Sequence, residues 1–558
     1  MLPNFFYFFY FFLIILSSIG FGFLIQNQSN IKTNEFYNIG SFGISGLFIL
    51  NIVSYSLSLI DRINPIINIC IILIGILIFF FYFKKDTIKK KNIYLLFIFL
   101  IYLGILIGKP HDDFHYYHFP YIHYLLNSDF IYGVGHLNHG FRTPSSIFYL
   151  NSIFYNQFTG YGTFHFGAAL YFLFANIYLF EKIQFLLENK KQNLVVFAIC
   201  IFVFINIFFY RIGEHGTDRS AQILSLIFIF EIFIFLNIKN NIENRIKILI
   251  ILLGIIISLK AFYILFVIFS FVVIHHLYTD QKRKVKEIYK LVFLNLVFCL
   301  FLIKFINIIT INIINTGCLI YPVYLSCFDN LSWSLGSLEA IKMNNWYELW
   351  SKGGATPNMR VSNPDHYLTN FNWVINWFNI YFFTKVSDFL LGLIFLSLVI
   401  FITLRLKLNF SNYRFKILLL FVFILLFEWF YNHPALRYGG YSLISSIFFI
   451  LLSSLCFKKN KSIKKFSNNI SYLIIFSLCI FFIRNVDRIV KEKNLYNYMP
   501  FKNPYYDFGV HDYRILKKIN LLKEEIQCSD IKKECNDKEF EINLLNNNKF
   551  FISKKNND

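Results

Sequence analysis

The chain has 558 residues, of which 56% are hydrophobic and only 15% charged. That balance excludes a soluble globular protein of this length, and a mean hydropathy of +0.54 points to most of the chain lying in a membrane. The net charge of +21 does not indicate nucleic acid, because the basic residues fall in short clusters between apolar runs, as membrane topology requires.

Apolar runs recur at 3–25, 38–60, 65–83, 93–108, 162–180, 193–210, 220–237, 246–258, 261–278, 289–309, 386–404, 416–432, 438–456 and 470–484. They predict an all-α, polytopic transmembrane helical bundle of about 13–14 spans with large non-cytoplasmic loops. The first run has no basic residues ahead of it and is too long for a cleaved signal peptide, so it counts as a span. Lys84, Lys85, Lys89, Lys90 and Lys91 mark one cytoplasmic connection, Lys282, Arg283, Lys284 and Lys286 a second, and Lys458, Lys459, Lys461, Lys464 and Lys465 a third. This places 109–161, 211–219, 310–385, 433–437 and 485–558 on the opposite, outer side. The chain then divides into N-terminal transmembrane helices (1–92), a core (93–484) with outer loops 109–161 and 310–385, and an outer tail (485–558). Residues 245–290 begin and end with basic clusters and must cross twice, with an apex at Ser258-Leu259-Lys260. Residues 145–158 are expected to form a helix lying at the outer interface.

Two cysteine pairs, Cys318 with Cys327 and Cys528 with Cys535, lie in outer regions where an oxidising compartment would let each close a short disulfide. The remaining cysteines sit in or at the ends of apolar runs and behave as small hydrophobes.

The loop after the fourth run reads Lys109-Pro110-His111-Asp112-Asp113-Phe114-His115-Tyr116-Tyr117-His118 and continues through Gly133-Val134-Gly135-His136-Leu137-Asn138-His139 to Arg142. Adjacent carboxylates at a membrane boundary do not both ionise easily. One of Asp112 and Asp113 is therefore expected to have a raised pKa and to suit general-base work on a hydroxyl. The plainer alternative is that the pair caps a helix starting near His115. The spacings His111/His115 and His115/His118 let two imidazoles share a helix face, with Asp113 as an oxygen donor. This admits a divalent cation without closing a ligand set, and no other cofactor is expected.

Further along, Arg211, Glu214, His215, Asp218 and Arg219 form a short outer loop, Lys260 stands at the hairpin apex, and Glu428, His433 and Arg437 flank an outer turn. Lys and Arg at an outer leaflet suit a lipid phosphate, or simply snorkel to headgroups. Glu231 and Lys304 lie within spans, where charge is costly, and no partner is evident for either. Trp346, Trp350, Trp373 and Trp377 suit stacking on sugars or marking the interface, the second being favoured for the last two.

The order of several stretches resembles the GT-C superfamily of membrane glycosyltransferases. They are Asp112-Asp113-Phe114-His115-Tyr116, Gly133 to His139, Gly216-Thr217-Asp218-Arg219-Ser220-Ala221, Ser258-Leu259-Lys260, Gly317-Cys318-Leu319-Ile320-Tyr321-Pro322, and Pro434-Ala435-Leu436-Arg437-Tyr438. The likeness covers roughly residues 93–445, and the three leading spans depart from the simpler layout of that superfamily. The resemblance implies a GT-C-like fold in a bacterial inner membrane, a polyprenyl-phosphate-linked sugar donor, a glycan or lipid acceptor, and no nucleic-acid partner. It implies Asp112 or Asp113 as the base, and Lys260 and Arg437 as the hold on the departing phosphate. His139 and Arg142 would position substrate, with His115 and Asp218 completing the binding set. A transporter or flippase of lipid-linked sugars, or a polysaccharide polymerase or ligase, is the alternative.

Overall fold

Each apolar run falls largely on helix in the computed structural model, which describes residues 2–83, 91–106, 109–356, 361–406, 415–455, 463–495, 540–544 and 550–554, apart from Lys32 and Asn34. The N-terminal helices are α1 (Leu2–Gln28), α2 (Ile39–Ile60), α3 (Pro65–Tyr82) and α4 (Lys91–Ile105). The first outer loop carries α5 (Phe119–Asn127) and α6 (Ser146–Ile153). The centre of the bundle is α7 (Phe166–Glu188), α8 (Gln192–Phe208), α9 (Asp218–Asn237) and α10 (Ile242–Leu259), followed by α11 (Phe269–Thr279), α12 (Val285–Phe293) and α13 (Leu296–Thr316). The second outer loop holds α14 (Ser337–Lys352), α15 (Pro364–Leu368) and α16 (Val374–Trp377). The chain then returns through α17 (Ser387–Leu404), α18 (Lys416–Asn432), α19 (Gly440–Leu455) and α20 (Ile463–Leu495).

The protein is thus all-α, with one antiparallel pair of strands, β1 (Phe540–Leu544) and β2 (Phe550–Lys554), near its end. Among the described residues nine helices are long and apolar enough to cross a membrane, fewer than the expected spans. Lys91–Ile105, Gln192–Phe208 and Gly440–Ser454 are shorter apolar helices, and α10 opens with Glu243, Arg245 and Lys247.

Local signals explain the boundaries. Asn38 caps α2 by accepting from Ser41 N, and Asn64 with Pro65 starts α3. The expected span at 289–309 is shifted: Asn295 caps a new helix by accepting from Phe298 N, so α12 is a separate short helix and the span runs Leu296–Thr316. The expected interfacial helix at 145–158 is instead α6, whose residues are all buried and which packs against α2, α5 and α7. Between α1, α2 and α3 the backbones nearly touch. A Cβ at Gly20 would stand 1.9 Å from the Gly75 carbonyl oxygen, and one at Gly46 only 1.7 Å from that of Ser18. Small residues permitting close backbone approach are a main source of cohesion where lipid removes the hydrophobic drive between helices.

Charges bind the bundle at two levels. Lys182 on α7 lies 2.8 Å from Glu35 and 3.0 Å from Glu231, and Arg245 lies 2.5 Å from Glu35. Tyr178 donates to Glu231 at 2.6 Å. Glu231, unpaired in the sequence reading, therefore has two partners here. At the other end Ile63 N donates to Leu125 O at 2.9 Å, joining the α2–α3 turn to the first outer loop.

The outer loops close over that end. Cys318 and Cys327 form a disulfide, whereas Cys528 and Cys535 lie outside the described residues. Arg142 donates to Gly135 O, to Tyr321 Oη at 3.0 Å and to Glu339 at 3.1 Å, so it ties the two outer loops together. Helix α20 runs on to Leu495, and its Arg488 pairs with Glu214 at 2.6 Å while its Glu492 accepts from Lys109 N. Strand β2 reaches the first outer loop through Ile552 N to Tyr132 O at 2.9 Å.

Burial pushes His123, His136 and His433, all in outer connections, down to about 4 from an ordinary 6.5. The unfolded chain then takes up protons that the fold refuses, so stability is full above about 6.5 and falls as pH drops towards 4. In detergent, the melting temperature should fall across this window, and replacing all three by Gln should flatten the slope. An unchanged slope would show that burial of these rings carries no such linkage.

Candidate functional site

Asp218 is the first residue of α9 and is 3% exposed. A carboxylate there is favoured by the helix dipole, and two cations complete its environment. Lys260 Nζ donates to Oδ1, and Arg437 Nε donates to Oδ2 at 2.9 Å. Arg437 Nη2 also donates to Asp113 Oδ2 at 2.8 Å. Four segments far apart in sequence thus meet in one cluster at the outer end of the bundle.

Each arm is held in place. Gln222, one turn below Asp218, donates to the carbonyls of Leu436 and Arg437. Tyr381 accepts from Leu436 N, and Trp377 and Trp429 donate to the carbonyls of Pro434 and Ala435. Ser145 donates to Leu259 O at 2.6 Å, fixing the hairpin apex just before Lys260. Gly216, at φ +52°, passes so close to His111 and His118 that a Cβ would stand 3.0–3.1 Å from their rings. The cations also lie over aromatic faces: Lys260 Nζ is 4.8 Å from the Tyr438 ring centre and the Arg437 guanidinium 5.5 Å from that of Trp350.

The two adjacent aspartates part company. Asp112 is 86% exposed and among the described residues pairs only with Lys109, at 3.3 Å. Asp113 turns inward. Burial alone would push its carboxyl up, but Arg437, with help from His111 and His118, holds it below the usual carboxylate range. The expected raised pKa is therefore corrected: the partner is a guanidinium, not the neighbouring carboxylate. Asp113 is consequently ionised, and its contacts with Arg437, Tyr117 and His111 fall on Oδ2.

The other expected residues scatter. His139 stands at the rim, 5.7 Å from the Trp346 ring and 3.4 Å from Tyr116 Oη, with its pKa lowered by burial. Arg142 is committed to the loop clamp described above, which removes it from the expected substrate contacts. His115 stands edge-on to Phe114 and is not brought into the cluster. His118, expected only as a candidate metal ligand, stacks at 5.3 Å on His111. The turn at Phe114–His118 is a π-helix, so the α-helical spacing that suggested His115 does not apply. One ligating atom each from His111, Asp113 and His118 lies within 4.8 Å of the others. Burial lowers the pKa of both imidazoles. Trp373 and Trp377 are 0% and 2% exposed, so they mark neither the interface nor a sugar site. Trp350, against Arg437, was the informative one.

An apolar cavity of about 590 Å³ lies between α10, α11, α12 and α13. Ile257 and Ile264, which bracket Lys260 in the chain, line one end of it, and Val267, Phe293 and Leu302 leave its side exposed. Its volume falls within the roughly 300–1,000 Å³ of small-molecule sites.

These features define a polytopic, all-α protein compatible with multi-pass integration in a membrane, carrying a balanced charge cluster at one end of its bundle. The chain belongs to the family described as Domain of unknown function (DUF8201), whose model matches residues 4–444 and so contains the whole cluster. No curated protein and no solved structure matches the chain.

Replacing Asp218 by Asn leaves Lys260 and Arg437 facing each other without compensation. The expected loss is about 3 kcal/mol, the scale for breaking one partner of a buried pair. The double variant Asp218→Asn/Lys260→Met should recover part of it in thermal unfolding. Additive losses would show that the two residues do not act as a pair.

Proposed function

We propose that this protein is a membrane glycosyltransferase with a GT-C-like architecture. It moves a sugar from a polyprenyl-phosphate donor to a cell-envelope glycan or lipid acceptor on the periplasmic side of the bacterial inner membrane. The observation that carries the reading is the meeting of Asp113, Asp218, Lys260 and Arg437 in one cluster, with Lys260 at the apex of a hairpin whose two arms line an apolar cavity. A base, two cations and an apolar channel are what a lipid-linked phosphate sugar requires of its site.

In this reading the lipid tail lies along the cavity and its phosphate reaches Lys260 and Arg437. The acceptor hydroxyl attacks the anomeric carbon while the bond from that carbon to the phosphate oxygen breaks. Asp113 takes the hydroxyl proton, and the oxocarbenium-like transition state passes its electrons to the departing polyprenyl phosphate. Lys260 and Arg437 offset the charge that grows on that phosphate. Asp218 touches neither substrate; it positions the two cations. His139 and Trp346 at the rim offer a polar edge and an aromatic face to the acceptor.

A flippase of lipid-linked sugars is the second reading, favoured by Lys304. This residue is 1% exposed within α13, its Nζ has no hydrogen-bond partner among the described residues, and it rests 5.1 Å from the Phe48 ring centre.

The test is a proteoliposome assay with a panel of labelled polyprenyl-monophosphate sugars and membrane glycan extract. Release of polyprenyl phosphate is expected with at least one donor. Asp113→Asn should slow it about 100-fold or more, Lys260→Met and Arg437→Gln should act in the same direction, and Asp112→Asn should leave it unchanged. Movement of intact donor across the bilayer without release would favour the flippase. Full activity in Asp113→Asn would remove the base assignment.

A further inference from the structure

On the inward side of the cluster, beside Asp113, stand two histidines, His111 and His118, that the transfer reading does not use. His118 is 3% exposed, and its Nε2 has no hydrogen-bond partner among the described residues. A buried polar atom left in this state calls for a water or an ion. Its ring stacks on that of His111 at 5.3 Å with 26° between the planes. His111 in turn lies 3.7 Å from Asp113 Oδ2 through Nδ1. Both rings line a small cavity of about 20 Å³, walled also by Phe114, Gly213 and Gly216. That is room for one water-sized sphere, since such a cavity needs about 10–15 Å³.

From this geometry we infer that His111, Asp113 and His118 form a binding site for one first-row divalent cation of the zinc class. Two imidazoles and one carboxylate are a donor set that such ions accept, whereas magnesium and calcium prefer oxygen alone. The three ligating atoms lie within 4.8 Å of one another. Around an ion with bonds of about 2.0–2.2 Å they would lie within about 4.4 Å, a movement within reach of side-chain rotation. Gly216 sets the size of the cavity, because any side chain there would press on both rings. His115 is outside the trio and serves as an internal control. The charge balance gives the ion a consequence. Asp113 and Asp218 match Lys260 and Arg437 one for one, so a bound cation makes the cluster net positive and adds to its hold on an anionic group. The site itself rests on its own geometry, and it stands or falls independently of the transfer reading.

The experiment uses the full chain purified in detergent, freed of metal with a chelator and then titrated with Zn²⁺ and, separately, with Co²⁺. Bound metal is read by elemental analysis after gel filtration, and Co²⁺ by its visible ligand-field absorption. About one equivalent is expected, with affinity reduced at least 10-fold in His118→Ala and in His111→Ala and unchanged in His115→Ala. Melting curves of the metal-free variants separate lost ligation from lost folding, and His118→Gln gives a second, milder variant at the same position. No retained metal and no Co²⁺ spectrum in the wild-type protein would overturn the site and leave the cavity to a water molecule. Equal retention by a folded His118→Ala or His118→Gln protein would overturn it as well.

Discussion

The buried carboxylate of Asp218 is the contact on which the outer end of this protein depends. It sits where the amide dipoles of α9 favour negative charge, and it draws in Lys260 from one direction and Arg437 from another. Arg437 then reaches past it to Asp113. Without this carboxylate two cations would share a half-closed pocket with a single exposed-edge aspartate, and mutual repulsion would drive the 433–438 turn and the hairpin apex apart. With it, four loops that enter the membrane at different places have one meeting point. A loop end anchored by charge can hold its geometry without the large apolar contacts that the loop itself lacks.

The same helices carry a second set of ion pairs at their other ends. On α9 Asp218 and Glu231 are thirteen residues apart, about 20 Å along the axis, and on α10 Arg245 and Lys260 are about as far apart. Glu231 and Arg245 belong with Lys182 and Glu35, while Asp218 and Lys260 belong with Arg437. Two charge networks at a fixed separation resist the sliding of one apolar helix along another, which apolar packing by itself does little to prevent. Burial of such pairs contributes uncertainly to net stability. Its clearer effect here is register: a shift of one turn in α9 would break partners at both ends together.

Much of this was legible from the chain alone because hydrophobic runs and basic clusters are linear signals. The helices and the grouping of 109–161, 211–219, 310–385 and 433–437 at one end of the bundle follow from them, and Asp218, Lys260 and Arg437, singled out by their place in those connections, do meet there. What escaped was rotation. Asp112 and Asp113 are indistinguishable in sequence, yet neighbouring residues in a turn face different ways, and only Asp113 meets Arg437. His115 belonged to both pairs that α-helical spacing offered, His111/His115 and His115/His118, but across the π-helical turn it is His111 and His118 that come together. Arg142 carried the right charge for a substrate contact and is engaged by Tyr321 and Glu339, far along the chain. Glu231 had no visible partner because its partners, Lys182 and Tyr178 on α7 and Arg245 on α10, come from other helices. The helix start at Asn295 was the exception: an Asn ahead of an apolar run was a readable stop and start signal, obscured by apolar residues on both sides.

The cavity and the cluster constrain the ligand jointly, whichever reaction follows. The cavity walls are apolar along the lengths of α10 and α13, so a polar molecule gains nothing by entering. The cluster is charged and lies at the apex of the hairpin whose two arms line the cavity, so a purely apolar molecule would leave its donors unused. A ligand that satisfies both surfaces at once must be an amphiphile with a long apolar part and a compact anionic head. Lipid phosphates have this form, and their tails can enter from the side, where Val267, Phe293 and Leu302 are exposed, without leaving the bilayer.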